Sequence, residues 1–228
     1  MTQLPKHVAL IMDGNRRWAR QNSLPLFEGH RLGEQAIEPI IDRSLELKIP
    51  YLTFWAFSTE NWLRQKKEVN FLLNLYRHNL EESVDNFHRK NVRLNIIGNL
   101  NKFPEDIIVK TKNWMVKTKN NDGITVNIAL GYGGRDEIIR AVNKWKSDTK
   151  SKENLTKETF ADYLDTAHQP DPDLLVRTGG EKRLSGFLLW QLEYTELYFT
   201  DCLWPDFTPN EFDKALNFYA DRHRRFGR

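Results

Sequence analysis

Short apolar runs alternate along this chain with longer stretches in which apolar residues recur every three or four positions. The first kind reads as buried strands and the second as amphipathic helices. Residues 8–12 form the first strand in this reading, uniformly apolar as a strand covered on both faces should be. Residues 51–57, 92–97, 124–130, 174–176 and 197–199 supply five more. Between the first two strands, Leu32, Ile37, Ile40, Ile41 and Leu45 share one helical face, and Pro39 is expected to kink that helix. Val69, Leu72, Leu73, Tyr76, Val84 and Phe87 predict a long helix ending near Lys90. Pro104 opens a helix to about Thr118, residues 136–146 form another, and Thr156 caps a short one holding Thr159 and Phe160. Residues 147–154 are polar and read as a surface loop, and a last helix runs from Pro209 to about Arg224. The alternation predicts an α/β protein: one domain over residues 1–228, with a six-stranded, mostly parallel sheet flanked by helices on both faces.

Ligands in such a sheet bind beyond the carboxyl ends of its strands, and the polar clusters of this sequence fall there. The first strand runs into Asp13, Gly14 and Asn15, followed by Arg16, Arg17 and Arg20 on what reads as the start of a helix. Free backbone N–H groups, the helix dipole and the arginines all favour an anion at that spot. Asp13 would repel an anion alone; it fits a divalent cation such as Mg2+ that bridges a carboxylate to phosphate oxygens. The second strand leads into Ser58, Thr59, Glu60, Asn61, Trp62 and Arg64, and the fourth into residues 131–135. The fifth leads into residues 177–185, where Arg177 and Arg183 are spaced for a second diphosphate; guanidinium forks match phosphate oxygens two at a time. Two diphosphate sites on one rim predict a condensation between two diphosphates. Phe57, Trp62, Phe87, Leu94, Ile96 and Leu130 are expected to line an apolar substrate tunnel beside them.

Composition narrows the alternatives. Of 228 residues 39% are hydrophobic and 29% charged, which excludes a disordered chain. A net charge of +3 does not call for nucleic acid, and no apolar stretch has the length of a membrane span. Residues 1–6 lack the apolar core of a signal peptide. Cys202 is the only cysteine, so no internal disulfide forms and a reducing compartment, the cytoplasm, is expected. A phosphatase or phosphotransferase with an aspartate nucleophile would want Asp-x-Asp where this chain has Asp13-Gly14-Asn15, and no Gly-Lys-Ser/Thr phosphate loop occurs. Taken singly, Asp13 reads as a helix cap, the nearby arginines as a solvated face and His30 as structural. The four rim loops together favour the phosphate reading.

Those rim segments resemble one family. Asp13-Gly14-Asn15-Arg16-Arg17-Trp18-Ala19, Phe57-Ser58-Thr59-Glu60-Asn61-Trp62-x-Arg64, Tyr132-Gly133-Gly134-Arg135, Arg177-Thr178-Gly179-Gly180-Glu181-x-Arg183-Leu184-Ser185 and Glu196-Leu197-Tyr198-Phe199 are similar to motifs of the cis-prenyltransferases, the undecaprenyl diphosphate synthase family. They stand in the family's order and span residues 7–227. The resemblance implies Mg2+-dependent condensation of isopentenyl diphosphate with an allylic diphosphate, by default farnesyl diphosphate, each added unit having a Z double bond. The default product is undecaprenyl diphosphate, with a shorter chain as the alternative. It implies that Asp13 holds Mg2+ and assists departure of the allylic diphosphate. Gly14, Asn15, Arg16 and Arg17 would cradle that diphosphate, with Trp18 and His30 beside it. Asn61 matches the residue assigned to deprotonation, and Ser58, Thr59, Glu60, Trp62 and Arg64 match a mobile loop over the substrates. Arg177, Arg183, Leu184 and Ser185 match the isopentenyl diphosphate site. Glu196 matches a second metal ligand donated by the partner subunit of a homodimer, and Arg225-Phe226-Gly227 a C-terminal segment at that interface. A lipid product implies contact with a membrane surface at release, without a membrane span and without nucleic acid. The chain departs from the family pattern at Leu26, where members carry arginine, at Gln65, where they carry proline, and at Gly131, where many carry asparagine. Arg20 or Arg31 is expected to supply the cation missing at Leu26.

Overall fold

The computed structural model describes residues 4–82, 84–148 and 154–222. Its strands are β1 (His7–Ile11), β2 (Tyr51–Ser58), β3 (Val92–Ile97), β4 (Ile124–Tyr132), β5 (Leu174–Arg177) and β6 (Glu196–Phe199). They form one sheet in the order β3-β4-β2-β1-β5-β6, and every neighbouring pair is parallel. The six expected strands are thus all present, and the sheet is wholly rather than mostly parallel. The helices are α1 (Asn15–Gln21), α2 (Leu26–Gln35), α3 (Ile37–Glu46), α4 (Lys66–Glu82), α5 (Val84–Arg89), α6 (Glu105–Thr118), α7 (Gly134–Ser147), α8 (Lys157–Ala161) and α9 (Pro209–Ala220).

Three departures from the expected elements have physical reasons. The helix expected around Leu32 begins at Leu26 and breaks at Ala36 rather than at Pro39. Pro39 falls in the first turn of α3, where a missing N–H loses no helical bond. Thr59–Leu63 is a 3-10 turn rather than an open loop, because Ser58 and Asn61 cap one another: the Ser58 N–H donates to Asn61 Oδ1 at 3.0 Å. The last helix stops at Ala220, where the Arg222 N–H tightens onto the Tyr219 carbonyl at 3.1 Å. Residues 223–228, with the expected end of that helix and Arg225-Phe226-Gly227, lie outside the described residues, as do residues 149–153 of the expected polar loop.

Alternation along the strands splits the sheet into two unlike faces. Val8, Leu10, Leu52, Phe54, Leu94 and Val126 belong to a large apolar cluster with α3, α4, α5, α6 and α9. The opposite face has a smaller cluster, Ala9, Ile11, Ile97, Ala129, Leu175, Phe187 and Leu188. Toward the amino ends of the strands that second face carries a buried polar belt. The Nδ1–H of His7 donates to the Pro170 carbonyl at 2.7 Å, and its Nε2 accepts from the Thr53 hydroxyl at 2.7 Å. Asn127 donates to Thr53 Oγ1 at 2.9 Å and to Gln169 Oε1 at 2.7 Å, and accepts from Asn95 at 2.9 Å and Gln169 at 3.1 Å. Thr53, Asn127 and Asn95 stand side by side in the strand register. Burial, offset in part by the Pro170 carbonyl, pushes His7 down to about 4. Nearer the carboxyl ends, Glu137 of α7 is 1% exposed and accepts from the Tyr132 hydroxyl, from Gln191 at 3.1 Å and from the Asp165 N–H at 3.0 Å. Its burial pushes the carboxyl pKa up.

Candidate active site

The site lies where the carboxyl ends of β1, β2 and β5 meet. Asp13 follows β1, and its backbone is pinned from two sides. Its N–H donates to Thr178 Oγ1 at 3.0 Å, and its carbonyl accepts from the Thr178 hydroxyl at 2.7 Å and the Trp204 N–H at 3.1 Å. Its carboxylate accepts from Arg177 Nη2 at 2.9 Å and stands 3.6 Å from Arg17. Arg177, at the end of β5 with its side chain 5% exposed, also donates to Ser185 Oγ at 2.9 Å and to the Arg183 carbonyl. One guanidinium therefore joins the residues expected in two separate diphosphate sites. Gly179 permits the close fit: its φ is +82°, and a Cβ there would lie 2.5 Å from Arg17 Nη2. Gly14 is similarly pressed, under Leu203.

Asn15, the first residue of α1, is clasped by α2. A Cβ at Gly29 would lie 2.0 Å from the Asn15 carbonyl oxygen, so only glycine lets the two helices approach this closely, and one at Gly33 would lie 2.3 Å from Asn15 Oδ1. Trp204 caps the same place from outside, its indole N–H donating to the Gly33 carbonyl at 2.5 Å. From α2 comes His30, whose Nε2 is 3.6 Å from Glu68, beyond hydrogen-bond reach. Burial first, then Arg64, pushes His30 down to about 4 against the opposing pull of Glu68.

Asp13, Asn15, His30, Ser58, Asn61, Arg64, Arg177 and Ser185 line one cavity of about 270 Å³. Gly14, Asn15, Arg16, Arg17, Arg20, His30 and Arg64 line an adjoining cavity of about 340 Å³. Arg20 and not Arg31 thus stands on the cationic side; Arg31 pairs with Glu28 and borders a deeper apolar cavity. That deeper cavity, of about 440 Å³, lies on the first face of the sheet among Ile37, Ile41, Phe87, Leu94, Ile96, Trp114, Val126 and Leu130. Ile37, Ala56, Leu75 and Tyr76 belong to its wall and to that of the 270 Å³ cavity.

Several expected residues lie elsewhere. Phe57 and Trp62 do not line the apolar cavity; they stack edge-on at 4.9 Å in a cluster with Phe103. The Trp18 indole N–H donates to Asp206 at 2.8 Å and lines neither polar cavity. Thr59 bonds Glu60, and Glu60 is exposed. The Arg183 side chain is 60% exposed and pairs with Glu181, while Leu184 packs into the second-face cluster. Glu196 opens β6 opposite Leu174, whereas Arg177 is opposite Phe199. Within one chain it therefore sits roughly 10 Å back along the strands from the rim, and it accepts from Arg222 at 3.1 Å.

Glu68 is the residue that sequence reasoning missed. One carboxylate meets Arg64 at 2.9 Å, His30 at 3.6 Å and Arg16 at 4.0 Å, cations or potential cations from three elements. In the sequence it looks like an ordinary acid in the first turn of α4, and only its place four residues after Arg64 hints at a partner.

The family model described as "Putative undecaprenyl diphosphate synthase" matches residues 11–227. An isoprenyl transferase of Aquifex aeolicus is 48% identical over 99% of this chain and 97% of its own, and one of Thermotoga maritima is 47% identical over the same shares. Among solved structures, lavandulyl diphosphate synthase from Lavandula x intermedia, in complex with dimethylallyl diphosphate, covers 99% of both chains at 36% identity with a TM-score of 0.95. A probable undecaprenyl diphosphate synthase from Campylobacter jejuni covers all of both at 37% identity and a TM-score of 0.84. The chain belongs to the cis-prenyltransferase family and is a prenyl-transferring enzyme.

Proposed function

We propose that this chain condenses isopentenyl diphosphate with an allylic diphosphate, farnesyl diphosphate by default, to build a Z-polyprenyl diphosphate whose default length is undecaprenyl. One observation carries the reading. Asn15 Oδ1, His30 Nε2 and Arg177 Nε are buried without a hydrogen-bond partner, and all three residues line the cavity that borders the apolar one. Each such atom costs about 1–3 kcal/mol when left unpaired. Three of them beside an apolar hollow describe a place for a polar head with an apolar tail.

Arg16, Arg17 and Arg20 bind the allylic head in this reading, and Arg177 with Ser185 binds the isopentenyl head. Because Arg177 touches both Asp13 and Ser185, it sets the spacing of the two heads, and fixed spacing of reactants is a large part of rate enhancement. His30, neutral near pH 7, offers a hydrogen bond rather than a charge. Asn61 orients substrate; an amide is a poor base, and its oxygen is already committed to the Ser58 N–H. The carbocation's proton is acidic enough for a departing diphosphate oxygen to take.

Mg2+ fits this donor set as a companion of the substrate. It is commonly held by one or two carboxylates together with phosphate oxygens, and the Asp13 side chain is 33% exposed. Among the described residues no cluster of three His, Cys, Asp or Glu could hold a metal without substrate. Bound Mg2+ supplies positive charge to the departing diphosphate. Glu196 would serve as a metal ligand from a second copy of the chain; exposed Tyr194 and Leu197, beside it at the edge of the sheet, give a homodimer an apolar seat. Among the described residues no helix is long and apolar enough to cross a membrane. Work in the cytoplasm, with membrane contact when the lipid product leaves, belongs to the same proposal.

A shorter product is the second reading, favoured by the departures from the family pattern at Leu26 and Gly131. The test is a product assay: labelled isopentenyl diphosphate, farnesyl or geranyl diphosphate and Mg2+, with an EDTA control, followed by dephosphorylation and sizing. A metal-dependent prenyl ladder is expected, and its longest abundant rung decides between the readings. No product from any allylic starter would refute the proposal.

A further inference from the structure

The charge of this chain is gathered beside the mouth of the site. Residues 16–31 and 60–68 carry seven arginines and lysines against three acids, a net +4, while the whole chain is +3. The rest of the molecule is therefore close to neutral. Contacts join the two segments into one surface. Glu68, in the first turn of α4, meets Arg64 before it, Arg16 of α1 and His30 of α2. Phe71 of α4 packs against Phe27 of α2, with ring centroids 5.4 Å apart. The same surface holds large apolar side chains out in water. Leu24 is 41% exposed, Phe27 46% and Leu63 87%, the most exposed large apolar side chain among the described residues. Leu63 is turned out because its neighbours are held in: Trp62 packs edge-on to Phe57 and Phe103, and Arg64 pairs with Glu68. Leu24 is fixed at the end of α1 by its N–H, which donates to the Ala19 carbonyl at 2.8 Å. Beside these three residues Arg20, Lys66 and Lys67 are exposed.

A single exposed apolar residue is ordinary, but several set among cations make an interfacial surface. We propose that this face, with Leu24, Phe27 and Leu63 among Arg20, Lys66 and Lys67, docks the enzyme on a bilayer of anionic headgroups. The apolar side chains enter the headgroup layer, and the cations stay level with the lipid phosphates. The inference deepens the condensation reading and rests on it for its purpose: a lipid product made beside a bilayer-facing mouth leaves without crossing water. A bilayer fits this face better than an acidic protein does. Leu63 projects on its own, whereas the centre of a protein interface is closely packed and complementary in shape.

The experiment is cosedimentation of the full chain with vesicles of phosphatidylcholine, with and without phosphatidylglycerol, at low and high salt and without substrate. The wild type is expected to bind the anionic vesicles at least about tenfold more tightly than the neutral ones, with the difference lost in high salt. Lys66→Gln and Lys67→Gln should each weaken anionic binding about fivefold. Phe27→Ser and Leu63→Ser should each weaken it about tenfold and keep its salt dependence. Val116→Ser, which removes a 64% exposed apolar side chain from α6, should change nothing. No binding by the wild type, equal binding to both kinds of vesicle, or equal losses in Leu63→Ser and Val116→Ser overturn the inference. So does a change of oligomeric state in Phe27→Ser or Leu63→Ser without vesicles, which would make this face a contact between copies of the chain. Failure of the condensation reading stays distinguishable, because vesicle binding is read without substrate: binding without any prenyl product refutes the reaction and keeps the docking face, and product without binding does the reverse.

Discussion

The two faces of the sheet line their empty space with opposite chemistry. On the first face, large aliphatic and aromatic side chains from β2, β3 and β4 stop short of the helices and leave a hollow of about 440 Å³. On the second, small Ala9 and Ala129 are met by Phe187, and the polar belt of His7, Thr53, Asn127 and Asn95 is closed by hydrogen bonds. Protein interiors are ordinarily packed as densely as organic crystals, and an unfilled apolar void forfeits contact energy. The hollow on the second face, about 430 Å³, is lined instead by polar Arg93, Asn95, Asp165 and Gln169, which water can satisfy, so it is the apolar void that calls for a use. The belt supplies what an all-apolar parallel sheet lacks, a strict pairing of donors with acceptors that holds the strands in one register.

The comparison is tested most severely at the rim that the first face serves. Asp13→Ala is expected to lower turnover by about a thousandfold or more, through loss of charge placement at the departing diphosphate, in a variant that still melts cooperatively. Near-normal steady-state rates in saturating Mg2+ would remove Asp13 from the mechanism. Next in size is Asn127→Leu on the second face. It leaves buried groups of Thr53, Asn95 and Gln169 unpaired, and should cost on the order of 3 kcal/mol in urea unfolding; a loss within experimental error would show the belt to be ornamental.

Acid should act on the second face too. His7 is held neutral to about 4 in the folded chain. Between roughly pH 6.5 and 4 the unfolded chain takes up a proton that the native one refuses, so stability falls as pH falls. About 2 kcal/mol is expected to be lost by pH 5 from this histidine, read as the difference between wild type and His7→Gln in a urea series. A neighbouring pair on β4 gives the sharpest contrast at a smaller scale. Ala129→Leu, on the second face, should cost about 2 kcal/mol through overpacking. Ile128→Phe, whose side chain borders the hollow, should change stability by less than about 1 kcal/mol and shorten the products instead. Equal costs would mean the hollow is not available space. Arg183→Ala should have the mildest effect, raising the Michaelis constant for isopentenyl diphosphate by about threefold, as befits a solvent-screened charge, with less change for the allylic partner.

Much of this architecture was legible in the residues. Runs such as residues 92–97 and 124–130 are rich in β-branched residues and too short for helices, and the structure has strands at both. Asp13, Asn15 and Arg177 were legible because strand ends in a parallel sheet converge, whatever the details of packing. What stayed hidden depends on contacts distant in sequence. Phe57 and Trp62 are as apolar as any tunnel wall, and only the position of Phe103 decides that they form a plug beside the hollow. The bulge at Ala56 is a mismatch between two strands and exists in neither alone. Arg183 looked like a twin of Arg177, yet one residue ends a buried strand and the other rides on an exposed turn. The polar belt is spread over His7, Thr53, Asn95 and Asn127, and nothing in any one segment announces the others.

The turn after β6 has a further consequence. Leu203 rests on Gly14, the Trp204 backbone holds the Asp13 carbonyl, and the Trp204 indole holds Gly33. The outermost strand of the sheet is thereby geared to its central carboxylate. Of the seven tryptophans in the chain, Trp204 is thus the one whose emission is expected to respond if a ligand at the rim displaces Asp13 or α2.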